Sequence, residues 1–169
     1  MKRLAALALM PIAFGALSGC GLHPMYAGGT HGPVAEKLAQ VEVGQIGGQA
    51  GWLMRNALVD RLGASGNAAP KYKLEVELSD QLTGLGIRSD NTVTRERRTL
   101  RARFRLVTAD AAGTTLLDAS AGSNTGIDVV SSDYATVAAE QTALENLVDD
   151  LADQIVARVA TFAHRSQGR

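Results

Sequence analysis

Cysteine is almost missing from this chain: Cys20 is the single one in 169 residues. No intramolecular disulfide can brace the fold, so stability must come from a packed core. Positive charge is not in surplus either. With 17 Lys and Arg against 17 Asp and Glu, no global basic field draws the protein to nucleic acid, and any recognition of anions has to be local. No apolar run reaches the roughly 20 residues that a permanent transmembrane helix needs. Catalytic constellations are lacking as well. The chain has no Gly-x-Ser-x-Gly elbow, no Walker-type phosphate loop and no His-Glu-x-x-His, and it reads as a non-enzymatic protein without a cofactor or metal.

What is present begins with a leader. Met1-Lys2-Arg3 is positive, Leu4 to Ala16 is a 13-residue run without charge, and Ser18-Gly19 are small residues suited to a peptidase pocket. Leu17 and Cys20 complete a motif, Leu17-Ser18-Gly19-Cys20, that resembles the cleavage and lipidation site of bacterial lipoproteins. That resemblance implies a diacylglyceryl group on the Cys20 thiol and a further acyl chain on the new amino terminus. At about 0.8 kcal/mol per buried CH₂, several chains together make a stable anchor. In this class an aspartate after the cysteine is associated with inner-membrane retention; Gly21 stands there instead, and the outer membrane is expected.

These features divide the chain into a signal peptide (1–19), a lipidated Cys20 with a flexible tether (20–39) and one domain (40–169). Removing Lys2 and Arg3 from the 17 basic residues leaves 15 against 17 acids, a net charge of −2 with His neutral. Residues 21 to 32 carry Gly21, Pro24, Gly28, Gly29 and Gly32, and about twelve flexible residues reach of the order of 20 Å. His23 and His31 lie there without partners at metal-ligand spacing.

The domain alternates between two periods. Gln40-Val41-Glu42-Val43 predicts a short strand, and Leu53, Met54, Ala57, Leu58 and Leu62 predict a helix over 49–63 stopped by Gly63. Trp52 is expected to pack at that helix's start. Tyr72, Leu74, Val76 and Leu78 then alternate with polar residues, as do Leu100, Ala102, Phe104 and Leu106 with Arg101, Arg103 and Arg105. A three-residue loop at 89–91 makes these runs a hairpin whose paired numbers add to 180, setting Glu77 opposite Arg103 and Glu75 opposite Arg105. A bulge is expected within Leu82 to Gly86. After a turn at Asp110-Ala111-Ala112-Gly113, a weaker strand starts at Thr115. Ser131 or Ser132 caps a long helix from Asp133 to about Ala163, of the order of 45 Å, with an apolar stripe at Val137, Leu144, Val148, Leu151, Ile155, Val159 and Phe162. Glu140, Glu145, Asp149, Asp150 and Asp153 fall mostly off that stripe and read as a solvated face.

The densest charge is basic: Arg95, Arg97, Arg98, Arg101, Arg103 and Arg105 occur within eleven residues. Arg103 and Arg105 have glutamates opposite in the hairpin. Arg95, Arg97 and Arg98, with Arg88 across the turn, have only Glu96 and Asp90 nearby in sequence, and such a cluster suits multidentate recognition of phosphate or carboxylate.

The residues Leu17 to Tyr26, Leu53-Met54-Arg55-Asn56-Ala57-Leu58-Val59-Asp60-Arg61-Leu62 and Tyr72-Lys73-Leu74-Glu75-Val76 together resemble the LptE family of lipopolysaccharide-assembly lipoproteins, in its alphaproteobacterial form. The β-α-β-β-β-α order is similar too. The resemblance implies an α+β two-layer sandwich, with two helices on a four-stranded mixed sheet. It also implies an outer-membrane lipoprotein, facing the periplasm or seated in the lumen of the β-barrel LptD, that plugs and helps assemble this translocon and assists lipopolysaccharide insertion. The phosphates of lipopolysaccharide are then the ligand expected at Arg88, Arg95, Arg97 and Arg98. The alternative is an auxiliary lipoprotein of an ABC-type envelope lipid-transport system.

Overall fold

The computed structural model describes residues 32–63, 69–87 and 93–166. The leader, Cys20, most of the expected tether, and Arg88 with the hairpin turn lie outside the described residues. Among the described residues seven elements follow in order: α1 (Pro33–Leu38), β1 (Val41–Val43), α2 (Gly48–Leu62), β2 (Tyr72–Ile87), β3 (Val93–Thr108), β4 (Thr115–Asp128) and α3 (Asp133–Arg165). The strands form one sheet in the order β1-β2-β3-β4, with β1 parallel to β2 and the other pairs antiparallel. This is the mixed sheet under two helices that the family resemblance implies.

Alternation decides which sheet face is buried. Leu74 and Val76 of β2 and Leu100, Ala102, Phe104 and Leu106 of β3 occupy even positions and are buried, while the odd positions between them point away from the helices. α3 closes this core with Leu144, Leu147, Val148, Leu151, Ile155 and Val159, and α2 adds Met54, Leu58 and Leu62. Each leucine removed from water contributes about 1.5–3 kcal/mol. The N-cap of α3 is Ser132, whose Oγ accepts from the Ala135 N–H at 3.4 Å. Gly63 ends α2 in the left-handed region at φ 66°.

Contacts between the helices fix their direction. Gln49 meets Gln141 at 3.0 Å, and Arg61 reaches Asp149 at 3.0 Å and Asp153 at 2.6 Å. The two ends of α2 thus meet α3 in the same order along both chains, so the helices run parallel. Hydrogen bonding to Asp153, then to Asp149, raises the Arg61 pKa above its ordinary value.

The hairpin register is unbroken. Pairs from Tyr72↔Thr108 to Ile87↔Val93 add to 180, including Glu75↔Arg105 and Glu77↔Arg103. The bulge expected at 82–86 does not occur; the irregularity lies between β3 and β4 at Leu106/Val107. There the strands approach the Asp110 turn. Asp110 Oδ1 accepts from Thr108 Oγ1 at 2.7 Å and from the N–H groups of Ala112 and Gly113, and Gly113 adopts φ 55°.

Three other expectations change. The segment assigned to the tether through residue 39 contains α1, whose Val34 and Leu38 belong to the core. Pro33 presets the first turn, and Lys37 Nζ donates to the Ala163 carbonyl and to Ser166 Oγ. Two buried apolar side chains in a six-residue helix are too few for periodicity to reveal. Trp52 is not packed but 64 % exposed, and Val137 is 62 % exposed although it continues the α3 stripe. The first turns of α3 lie beyond the buried core, which begins at Ala143.

Candidate functional site: the outer face of the sheet

The odd positions of β2 and β3 and the even positions of β4 make a solvent-facing surface opposite the helices. β3 contributes a column of Arg95, Arg97, Thr99, Arg101, Arg103 and Arg105. Beside it β4 contributes Asp128, Gly126, Asn124, Gly122, Ser120 and Asp118, and on the other flank β2 runs from Leu85 through Gln81 and Ser79 to Glu77 and Glu75.

Ion pairs concentrate at the two ends. Arg95 Nε lies 3.4 Å from Asp128. Arg105 reaches Glu75 at 3.3 Å and Glu77 at 3.8 Å. Arg103, which the register sets opposite Glu77, turns instead to Asp118 on β4, with Nη2–Oδ2 at 2.9 Å and Nε–Oδ1 at 3.3 Å. The Arg103 hydrogen bond holds the Asp118 carboxyl below its ordinary pKa. Between these ends Arg97 faces Thr83 and Gly126, while Arg101 faces Ser79 and Gly122. No carboxylate stands opposite either one.

The structure separates the arginines that the sequence groups. Arg95 and Arg97 share the outer face. Arg98, at an even position, lies on the helix side, where Nε and Nη2 bind both oxygens of Asp80 at 3.0 and 2.6 Å and Nη1 donates to the Glu140 carbonyl at 2.8 Å. Its side chain is only 16 % exposed, and the bond to Asp80 raises its pKa above the ordinary value. Arg98 therefore locks β2 and β3 to α3. Strand parity could have removed it from the ligand cluster; its bond to Glu140 required the tertiary fold. Arg158 of α3 escaped sequence reading. It reaches the edge of β4 and donates through Nη1 to the Ser120 carbonyl.

Asp149 and Asp153 pair with Arg61 and Asp150 accepts from Ser123, so part of the acidic helix face has structural partners. Among the described residues, no group of three or more His, Cys, Asp or Glu could hold a metal, and no helix is long and apolar enough to cross a membrane.

The two-layer α+β fold defines a class that solved lipoproteins share. A candidate lipoprotein from Caulobacter crescentus CB15 superposes with a TM-score of 0.68 at 25% identity, covering 80% of this chain and 98% of its own. A minor lipoprotein from Acinetobacter baumannii has the same fold, with a TM-score of 0.56, 17% identity, and coverage of 72% of this chain and 90% of that one. So does the rare lipoprotein B from Shewanella oneidensis, with a TM-score of 0.57, 12% identity, and coverage of 75% and 98%. No curated protein matches the chain. Residues 38–159 match the family LptE, described as lipopolysaccharide-assembly, and the chain belongs to that family. It is an assembly factor and not an enzyme.

Proposed function

We propose that the mature protein, anchored in the outer membrane through acyl chains on Cys20, seats its domain in the lumen of the LptD β-barrel, helps that barrel assemble and assists lipopolysaccharide insertion. Family membership supports the assembly role. The plug reading is carried by the outer sheet face, where arginines, carboxylates and small polar residues replace apolar side chains over three long strands. A barrel lumen is polar, and a plug must present polar groups to it. The Caulobacter likeness supports the alphaproteobacterial form of the family.

Position within the fold supports a separation of tasks. α1, the first described element, packs beside Ala163 and Ser166 at the end of α3. The ends of β2 and β3 at Ile87 and Val93 lie at the other end of strands 16 residues long, about 50 Å away at 3.3 Å per residue. A ligand at the tip is thus met far from where the chain leaves the domain. Arg95 and Arg97, with Arg88, are the arginines we assign to lipopolysaccharide phosphates there, whereas Arg98 holds Asp80.

Copurification from detergent-solubilised outer membranes tests the central reading. Recovery with a large β-barrel is expected; recovery with an inner-membrane ABC-type transporter complex would replace it with the auxiliary-lipoprotein role. At the tip, joint alanine substitution of Arg88, Arg95 and Arg97 should weaken lipopolysaccharide binding and flatten its salt dependence. Unchanged binding by a folded variant removes the phosphate assignment.

A further inference from the structure

Midway along the outer face lies a groove of about 650 Å³ that the tip does not include. It crosses all three long strands, from Glu77 and Ser79 over Arg101 and Arg103 to Ser120 and Gly122, and ends at Gln154 and Arg158 of α3. Three guanidinium groups from two layers therefore border one space. Arg103 is already neutralised by Asp118. Glu77, the sole acidic lining residue, has Arg105 at 3.8 Å.

Arg101 is different. It is exposed, its cross-strand neighbours Ser79 and Gly122 carry no charge, and it makes no ion pair or side-chain hydrogen bond among the described residues. Gly122 is not required by crowding, since a Cβ there would meet Arg101 Cγ at an ordinary 3.6 Å. Its effect is to leave the groove floor bare beside the guanidinium. Arg158 adds a second positive charge from across the β4 edge, held by its bond to the Ser120 carbonyl.

We propose that this groove binds a phosphoryl group. A guanidinium is a fixed planar fork that matches the oxygens of phosphate. Arg101 and Arg158 approach from different sides, and the hydroxyls of Ser79 and Ser120 and the amide of Gln154 are neutral donors around the same space. Donors from several directions suit a tetrahedral oxyanion better than a planar carboxylate. The phosphoryl group belongs either to a soluble phosphate ester or to an anionic lipid headgroup. This site does not depend on the domain being a barrel plug.

The test uses the full mature lipoprotein in neutral detergent, with arginine Nε–H signals followed by NMR. One probe is inorganic phosphate; the other is phosphatidylglycerol in mixed micelles, against phosphatidylcholine micelles as control. A charge-assisted hydrogen bond contributes enough that Arg101→Gln should weaken binding about tenfold or more. Gly122→Asp should do the same by placing a carboxylate beside an intact Arg101. Arg165→Gln, which removes an exposed positive charge at the end of α3 far from the groove, should leave affinity within about twofold. Saturation by inorganic phosphate points to a soluble ester, and a response to phosphatidylglycerol alone points to a headgroup. If the unmodified protein answers neither probe, or folded Arg101→Gln binds as well as the parent, the groove is not a phosphoryl site. Neither result bears on copurification with the barrel.

Discussion

Arg98 shows how one residue's role turns on the face it occupies. In sequence it belongs to a run of arginines that looks built for a ligand; in the fold it is a clasp between Asp80 and the Glu140 carbonyl. Removing the acid leaves a largely covered guanidinium without its partner. Asp80→Ala should therefore cost about 1–3 kcal/mol in urea unfolding, and replacing Asp80 and Arg98 together by leucine should recover much of that loss. Asp110 gives a prediction of a different kind. The Thr108 hydroxyl, then the Gly113 and Ala112 amides, hold its carboxyl below the ordinary value. A lowered folded pKa means the contribution is present above the unfolded value of about 3.9 and disappears as pH falls through the folded one. The parent should lose turn stability below about pH 4, and Asp110→Asn should lack that acid-dependent component; carboxyl NMR and unfolding at graded pH measure both.

The elements were legible where periodicity was long. Two even-numbered apolar runs and a three-residue loop suffice to set the hairpin register, because a one-residue slip would turn every core side chain of β2 or β3 to water. α3 was legible as a helix but not in its coverage. Its stripe continues to Val137, yet burial starts only at Ala143, because α2 begins beside Gln141 and does not cover the Val137 side chain. Leu151→Ala should accordingly cost about 2–5 kcal/mol, whereas Val137→Ala should remain within about 0.5 kcal/mol. Comparable losses at both positions in chemical denaturation would mean that the first turns of α3 are covered in solution. Trp52 teaches the same lesson, since hydrophobicity alone cannot say whether a neighbour exists to cover it.

At the scale of the molecule, the limits of the domain matter most. Val34 and Leu38 sit in the core at the end of the sheet opposite Ile87 and Val93, joined to the tail of α3 by Lys37. Leu38→Ala should then destabilise the domain by about 2–5 kcal/mol; a melting temperature unchanged from the parent would return that segment to the tether. The sequence by itself determined the periods, the strand faces, the hairpin register and the concentration of arginine on β3, because these follow from local spacing and steric alternation along one chain. Only the tertiary structure decided which arginines are spent on structure and which stay open. Asp118 and Asp128 come from β4, Glu140 and Arg158 from α3, and each stands far along the chain from the β3 arginines until the layers close. Charge is a property of residues, but its cancellation is a property of neighbours, and the fold chooses those.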